Sequence, residues 1–329
     1  MNSRLAKVLS AMGPLLGLLF VVGLFCLSDE VRPFFLTGGN FKIVLTQTVI
    51  VAIGALGMTL IIVSGGIDLS VGSVVALTSV LAARLVLAGW PPALVVVLTV
   101  LVGGLIGVIN GSTVAIFRMM PFIVTLGMMG IVRGAAKWLG NNQTVNPPDN
   151  PVNRLMALTK PQELFPLPIG VWVAIGLAVL MAVVLRQTVF GRYIFAIGSN
   201  ESTARLCGIR VPLQKVCIYS LAGLFFGLAG LMQFSRLTQG DPSVAIGLEL
   251  DIIAAVVIGG ASLSGGTGSI AGSMIGALMM AVLRNGSNQM GWPTYMQEII
   301  IGIVIVLAVG LDRWRQVRGA RRSGERRAP

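Results

Sequence analysis

Long apolar stretches recur along the chain, separated by short polar interruptions. About 20 apolar residues are needed per membrane crossing. By that measure ten segments are candidate spans, at roughly 11–28, 43–63, 71–89, 92–116, 121–139, 168–187, 214–235, 250–264, 270–286 and 294–311. The eighth and ninth are short, so a break or re-entrant turn is expected there. The pattern predicts an all-α integral membrane protein, a polytopic bundle of about ten transmembrane helices forming one domain over 1–329. Two polar segments interrupt it at length. The segment at 140–167 contains "NNQTVNPPDNPVN", whose prolines and asparagines favour turns. The segment at 188–213 carries a helix-start pattern: Ser199 or Asn200 as cap, Glu201 in the first turn and Gly208 as the stop. A short exposed helix there suits docking of a soluble partner, and equally suits a solvated connector.

Composition agrees with a membrane chain. Of 329 residues, 55% are hydrophobic and only 11% charged, and mean hydropathy is +0.89, more apolar sequence than a soluble core requires. Histidine is absent, and Cys26, Cys207 and Cys217 show no paired C-x-x-C spacing. Ordinary zinc or haem sites and a disulfide framework are therefore not expected, and no metal-binding residues are assigned. Arg4 and Lys7 before an apolar run imitate a secretory leader, but Phe25 before Cys26 disfavours a lipoprotein-type cut. A retained first helix is expected.

Charge orients the bundle. With both termini on one side, nearly all of the net charge of +12 falls on that side, in short loops and in a basic tail at 312–329. Basic residues beside spans stay in the cytoplasm, so the N- and C-termini are expected to be cytoplasmic. Segment 188–213 then lies inside and 140–167 outside. The pI of about 10.8 needs no nucleic-acid partner on this reading, although the tail can meet anionic membrane lipid.

Between the second and third spans lies "SGGIDLSVGS", with Ser64, Gly65, Gly66, Asp68 and Ser70. It has an echo: "GGIDLSVGS" from Gly65 compares with "GGASLSGGTGS" from Gly259, which holds Gly260, Ser264, Gly265 and Gly266. The echo suggests two related halves, as in many transporters. One reading of the first motif is a helix C-cap at Gly65 or Gly66 followed by an N-cap from Asp68 or Ser70. The other makes Asp68 part of a gate, since intramembrane carboxylates are usually functional. Glycines four apart, at 103, 107 and 111, at 223 and 227, and at 268, 272 and 276, predict close helix packing.

Missing chemistry narrows the function. No G-x-x-x-x-G-K-[ST] phosphate loop occurs, so the chain is not expected to hydrolyse ATP itself. A serine nucleophile would lack its histidine, and no close pair of buried acids suggests an intramembrane protease or transferase. Arg133, Arg236, Arg284 and Glu298 are the charges whose depth needs checking. A stand-alone secondary transporter or facilitator of a small polar solute remains open at this level.

Four stretches, "GMTLIIVSGGIDLSVGSVVAL", "PFIVTLGMMGIVRG", "GRYIFAIGSNESTARLCGIRV" and "ELDIIAAVVIGGASLSGGTGSIAGSMIGAL", strongly resemble the permease subunits of bacterial ABC sugar importers of the ribose, xylose and galactose class. The likeness runs from about residue 40 to 311. It implies a multi-pass subunit of the bacterial inner membrane that works with a second permease copy or homologue. A cytoplasmic ABC ATPase would bind ATP and magnesium, and a soluble sugar-binding protein would deliver a monosaccharide. Segment 188–213 would then dock the ATPase through Arg192, Asn200, Glu201, Ala204, Arg205 and Gly208. Of the E-A-A-x-x-x-G pattern of importer permeases, only Ala204 and Gly208 match, and Glu201 stands one place early.

Overall fold

A computed structural model describes residues 3–29, 31–157 and 167–325, with side chains from residue 13 to 310 apart from residue 308. Residues 158–166 of the predicted outer segment, and the last four of the basic tail, lie outside the described residues. The helices are α1 (Ser3–Cys26), α2 (Arg32–Phe35), α3 (Gly38–Val63), α4 (Val71–Leu87), α5 (Pro92–Ile116), α6 (Pro121–Gly140), α7 (Ile169–Gln187), α8 (Val189–Ser199), α9 (Glu201–Leu206), α10 (Val211–Leu237), α11 (Leu248–Ile258), α12 (Ile270–Gln289) and α13 (Thr294–Glu325). The described residues contain no strand, only an isolated bridge between Val145 and Gly240. Five helices, α3, α5, α6, α7 and α10, are individually long and apolar enough to cross a membrane.

Apolar sequence faces both inward and outward here, as it does only where the surrounding solvent is also apolar. α3 is almost wholly buried, from Val49 through Val63. It forms the axis on which α10, α12, α11 and α7 pack. By contrast α5, α6 and α7 leave Leu101, Leu105, Ile131, Val179 and Leu180 exposed along their outer faces. Glycine makes the closest helix pair. Gly103 and Gly107 of α5 face Gly223 and Gly227 of α10, each lying where a Cβ would meet the partner's backbone. The third glycine series is not one helix face: Gly268 precedes α12, and only Gly272 and Gly276 lie on it, against Gly259 and Ala255.

Two ends of the bundle can be named. The near end holds the C-terminus of α3 together with α8 and α9; the far end holds the C-termini of α6, α10 and α12. The far segment is tied down where Met156 N donates to Ser235 Oγ, which itself donates to the Val152 carbonyl. The predicted break in the eighth span is present. α11 ends at Ile258, giving about 16 Å of helix at about 1.5 Å per residue, and 259–269 is irregular. The segment 188–213 holds two helices where its sequence signals indicate one. α9 starts at the expected cap, with Thr203 N donating to Asn200 Oδ1 at 2.9 Å, and ends at Gly208 in the left-handed region. The additional α8 is amphipathic, burying Ile194 and Ile197. α13 carries the backbone of the basic tail on as helix through Glu325.

Candidate functional site

At the near end the polar motif forms a knot inside the bundle. α3 stops where Gly65 turns left-handed, with Gly65 N donating to Ile62 O and Gly66 N to Ile61 O, both at 2.9 Å. Ser64 Oγ folds back onto the Ile61 carbonyl. Asp68, 1% exposed, then accepts from Ser70 N at 2.8 Å and Ser70 Oγ at 2.6 Å through Oδ1. Its Oδ2 accepts from Asn110 Nδ2 at 3.2 Å. The two cap candidates divide the work: Ser70 occupies the cap position of α4 without a side-chain cap bond, while Asp68 holds the Ser70 amide. Asn110 lies about 9 Å along α5 from its near end, so this irregular backbone sits within the protein, where non-helical segments survive in a membrane. Tyr219 of α10 closes the knot by donating to the Ile67 carbonyl at 3.3 Å.

The second break lies directly against the first. Gly266 N donates to the Val63 carbonyl at 2.8 Å. α11 terminates like α3, with Gly260 N donating to Val257 O and Ala261 N to Val256 O. The left-handed residue is Gly260 rather than Gly259, so the structural correspondence is Gly65 with Gly260, one residue off the sequence echo. Gly259 instead packs against Gly272. Within the turn, Ser264 N donates to Ser262 Oγ at 3.2 Å and Gly265 N to Ser262 O at 3.0 Å. Ser269 caps α12 through Gly272 N, whereas its sequence counterpart, Ser73, lies inside α4. The repeated letters thus share a helix stop but not a helix start.

The exposed segment joins both breaks. The Cα of Gly198, at the end of α8, lies so close to the Val63 carbonyl and Gly266 N that a Cβ would overlap them. Gly265 has Gly198 O and the backbone of Gly65 as its nearest neighbours, and Gly266 has Ser199. Three chain segments, 63–65, 198–199 and 265–266, therefore meet backbone to backbone. One residue later Asn200 starts α9. There Glu201 pairs with Arg205 at 3.0 Å and with Lys215 of α10 at 2.7 Å. The hydrogen bond from Lys215, reinforced by Arg205, holds the Glu201 carboxyl below its ordinary range. Ala204 is buried with Ile197 and Val211, while Arg192 and Arg205 are exposed. Beside α9, a cavity of about 220 Å³ is lined by Arg118, Arg205, Lys215 and Glu201.

Sequence reasoning located both breaks and α9 but missed Asn110, Tyr219 and Gly198, which reach the knot from other helices. Of the charges whose depth was in question, Arg133 donates to the Pro242 and Val244 carbonyls at 3.0 and 2.7 Å, and Glu298 is exposed. Arg284 pairs at 2.6 Å with Asp251, which sequence reading did not single out. Arg236 stands beside that pair at the far end. Among the described residues no group of three or more His, Cys, Asp or Glu could hold a metal ion.

Residues 40–309 match the family described as branched-chain amino acid transport system / permease component. The chain is 40% identical over 309 residues to the ribose import permease protein RbsC of Escherichia coli K12, covering 91% of this chain and 93% of that one. It is also 40% identical over 311 residues to the RbsC of Bacillus subtilis strain 168, covering 93% and 94%. The fructose import permease protein FrcC of Rhizobium meliloti is 37% identical over 285 residues, covering 85% and 79%. No solved structure matches. With a family match over most of its length and relatives aligned nearly end to end, this all-helical chain belongs to that family of membrane transport permeases.

Proposed function

We propose that this chain is the transmembrane subunit of an ATP-driven importer that passes a monosaccharide from an external binding protein into the cytoplasm by alternating access. The observation that carries the reading is the three-way backbone junction at Gly65, Gly198 and Gly265. It links an exposed helix pair to the two places where helices stop inside the bundle, so a push on α8 and α9 reaches both breaks without a flexible linker. The sugar comes from the relatives, whose names specify ribose and fructose. All ten apolar helices, α1, α3 to α7 and α10 to α13, enter the bilayer, with the near end and both termini in the cytoplasm. Arg192, Asn200, Glu201, Ala204, Arg205 and Gly208 form or shape the ATPase-docking surface, and the ATPase partner binds ATP and magnesium. Asp68, with Ser64, Gly65, Gly66, Ser70 and the turn through Gly259, Gly260, Ser264, Gly265 and Gly266, forms the hinge of an inner gate. A second permease copy or homologue completes the pathway.

Reconstitution tests this directly. Uptake of D-ribose, D-fructose or L-arabinose into proteoliposomes should require the ATPase, ATP and binding protein together. Gradient-driven uptake by the chain alone would overturn the reading in favour of a secondary transporter. Changing Glu201 and Arg205 together should abolish co-purification of the ATPase; undiminished recovery and transport would remove the docking assignment.

A further inference from the structure

The far half of the bundle contains a cavity of about 310 Å³ that the near-end site does not use. Its walls come from the outer turns of α3, α10 and α12, the loop before α11 and the first turn of α11. Ile246 at its rim is 74% exposed, whereas Asp251 within it is 2% exposed. The polar groups facing it are Asp251, Arg284, Arg236, Gln233, Gln47 and Asn288. The volume lies at the small end of ligand cavities, roughly 300 to 1,000 Å³, enough for a single sugar ring.

The ion pair inside this cavity is only half satisfied. Asp251 Oδ2 holds Arg284 at 2.6 Å, yet Asp251 Oδ1 and Arg284 Nε are buried and have no partner among the described residues. Asp251 is buried and Arg284 half-buried, and a pair kept for structure alone would be expected to use the two buried positions, because each unmet charged hydrogen-bonding group is costly. What remains is one carboxylate acceptor beside one guanidinium donor. Adjacent hydroxyls of a sugar complement that pair, since each hydroxyl both donates and accepts. Gln47, Gln233 and Asn288 add neutral groups of both kinds. The loop forming the rim is fixed by Arg133, through its bonds to Pro242 and Val244.

We infer that this cavity is a transient station for a neutral polyhydroxylated solute of monosaccharide size, held by Asp251 and Arg284 after its release from the binding protein. The inference rests on the importer reading for the direction of travel, but not for binding itself. No aromatic ring lines the cavity, so the stacking surface that would make binding tight is missing. That suits a waypoint, which must bind well enough to be entered and weakly enough to be left.

Cysteine protection tests it. Ile246→Cys, in a background with Cys26, Cys207 and Cys217 changed to serine, is modified by a small charged thiol reagent in the permease–ATPase complex. D-ribose, D-fructose and L-arabinose are added at concentrations on the order of tens of millimolar. At least one should slow modification roughly threefold, the factor expected near twice its dissociation constant. Lys137→Gln, an exposed charge at the end of α6 that does not line the cavity, should keep the protection within about twofold, and Asp251→Asn should abolish it. Equal modification rates with and without all three sugars would overturn the station, as would protection by D-gluconate or sulfate but by none of the neutral sugars. Failure of the importer reading looks different: protection persists while ATP-dependent uptake is absent.

Discussion

The two helix breaks at the near end solve one problem by different means. The break at 64–70 is held by side chains: Asp68 with Ser70, Asn110 across from α5 and Tyr219 from α10. The break at 259–269 has no carboxylate, and its glycines meet their neighbours through backbone, Gly259 and Gly265 by close approach and Gly266 also by a hydrogen bond to the Val63 carbonyl. A side-chain knot fixes one arrangement because each donor has a defined acceptor. Glycine contact sets a distance of approach, and the bond from Gly266 N to the Val63 carbonyl adds a fixed point. In the proposed gate the first break would serve as the pivot and the second as its partner, with Gly198 between them.

The largest effect is expected where both breaks depend on one atom. Gly198→Ala puts a methyl group into the Val63 carbonyl and should cost about 3 kcal/mol, read as a lower melting temperature of the purified chain together with loss of uptake. Asp68→Ala comes next. It strands the Ser70 amide and hydroxyl donors inside the protein, while Asn110 keeps its bond to Ser70 Oγ, and should cost about 2 kcal/mol, whereas Asp68→Asn separates the roles: retained folding with lost transport supports a gate, and full transport leaves only the cap. Gly260→Ala probes the second break, where φ is +93° and no neighbour crowds a Cβ. Backbone strain alone should cost about 1 kcal/mol there, and if it equals the Asp68→Ala loss the contrast between the breaks fails.

Glu201→Gln should change stability least, by about 0.5 kcal/mol or less, because its ion pairs are partly exposed. Its pH dependence has a definite sign. The folded carboxyl lies below its unfolded value, so the contribution is complete above the unfolded value and is lost as pH falls through the folded one. Thermal unfolding of wild type and Glu201→Gln should converge under acid conditions; a gap that widens there would contradict the pairing.

Local signals carried the sequence reading furthest. Asn200, Glu201 and Gly208 specify α9 within a few residues, because a cap and a stop act on the adjacent turn. Asp68 stood out by being a carboxylate in apolar sequence. Its partner Asn110 lies on another helix, and nothing nearby in sequence marks it. α8 was missed since its glycines at 191 and 198 weaken helix propensity, while burial of Ile194 and Ile197 decides its structure. Arg284 stands out in the sequence only as a charge whose depth needs checking and Asp251 not at all, and only the packing of α11 on α12 makes them a pair. The echo was legible as letters but not in register, because glycine-rich sequence leaves open which glycine takes the left-handed turn.

The interlocked glycines of α5 and α10 bear on how force passes through the protein. With Gly103 and Gly107 set against Gly223 and Gly227, axial slippage would drive each backbone into a neighbouring side chain. The two helices behave as a single stiff strut. Asn110 and Tyr219, which grip the knot, are mounted on opposite halves of that strut. On the proposed coupling, a displacement arriving from α9 through Lys215, near the start of α10, would pass along this strut to the Asp68 knot, and the bending would be left to the irregular backbone beyond it.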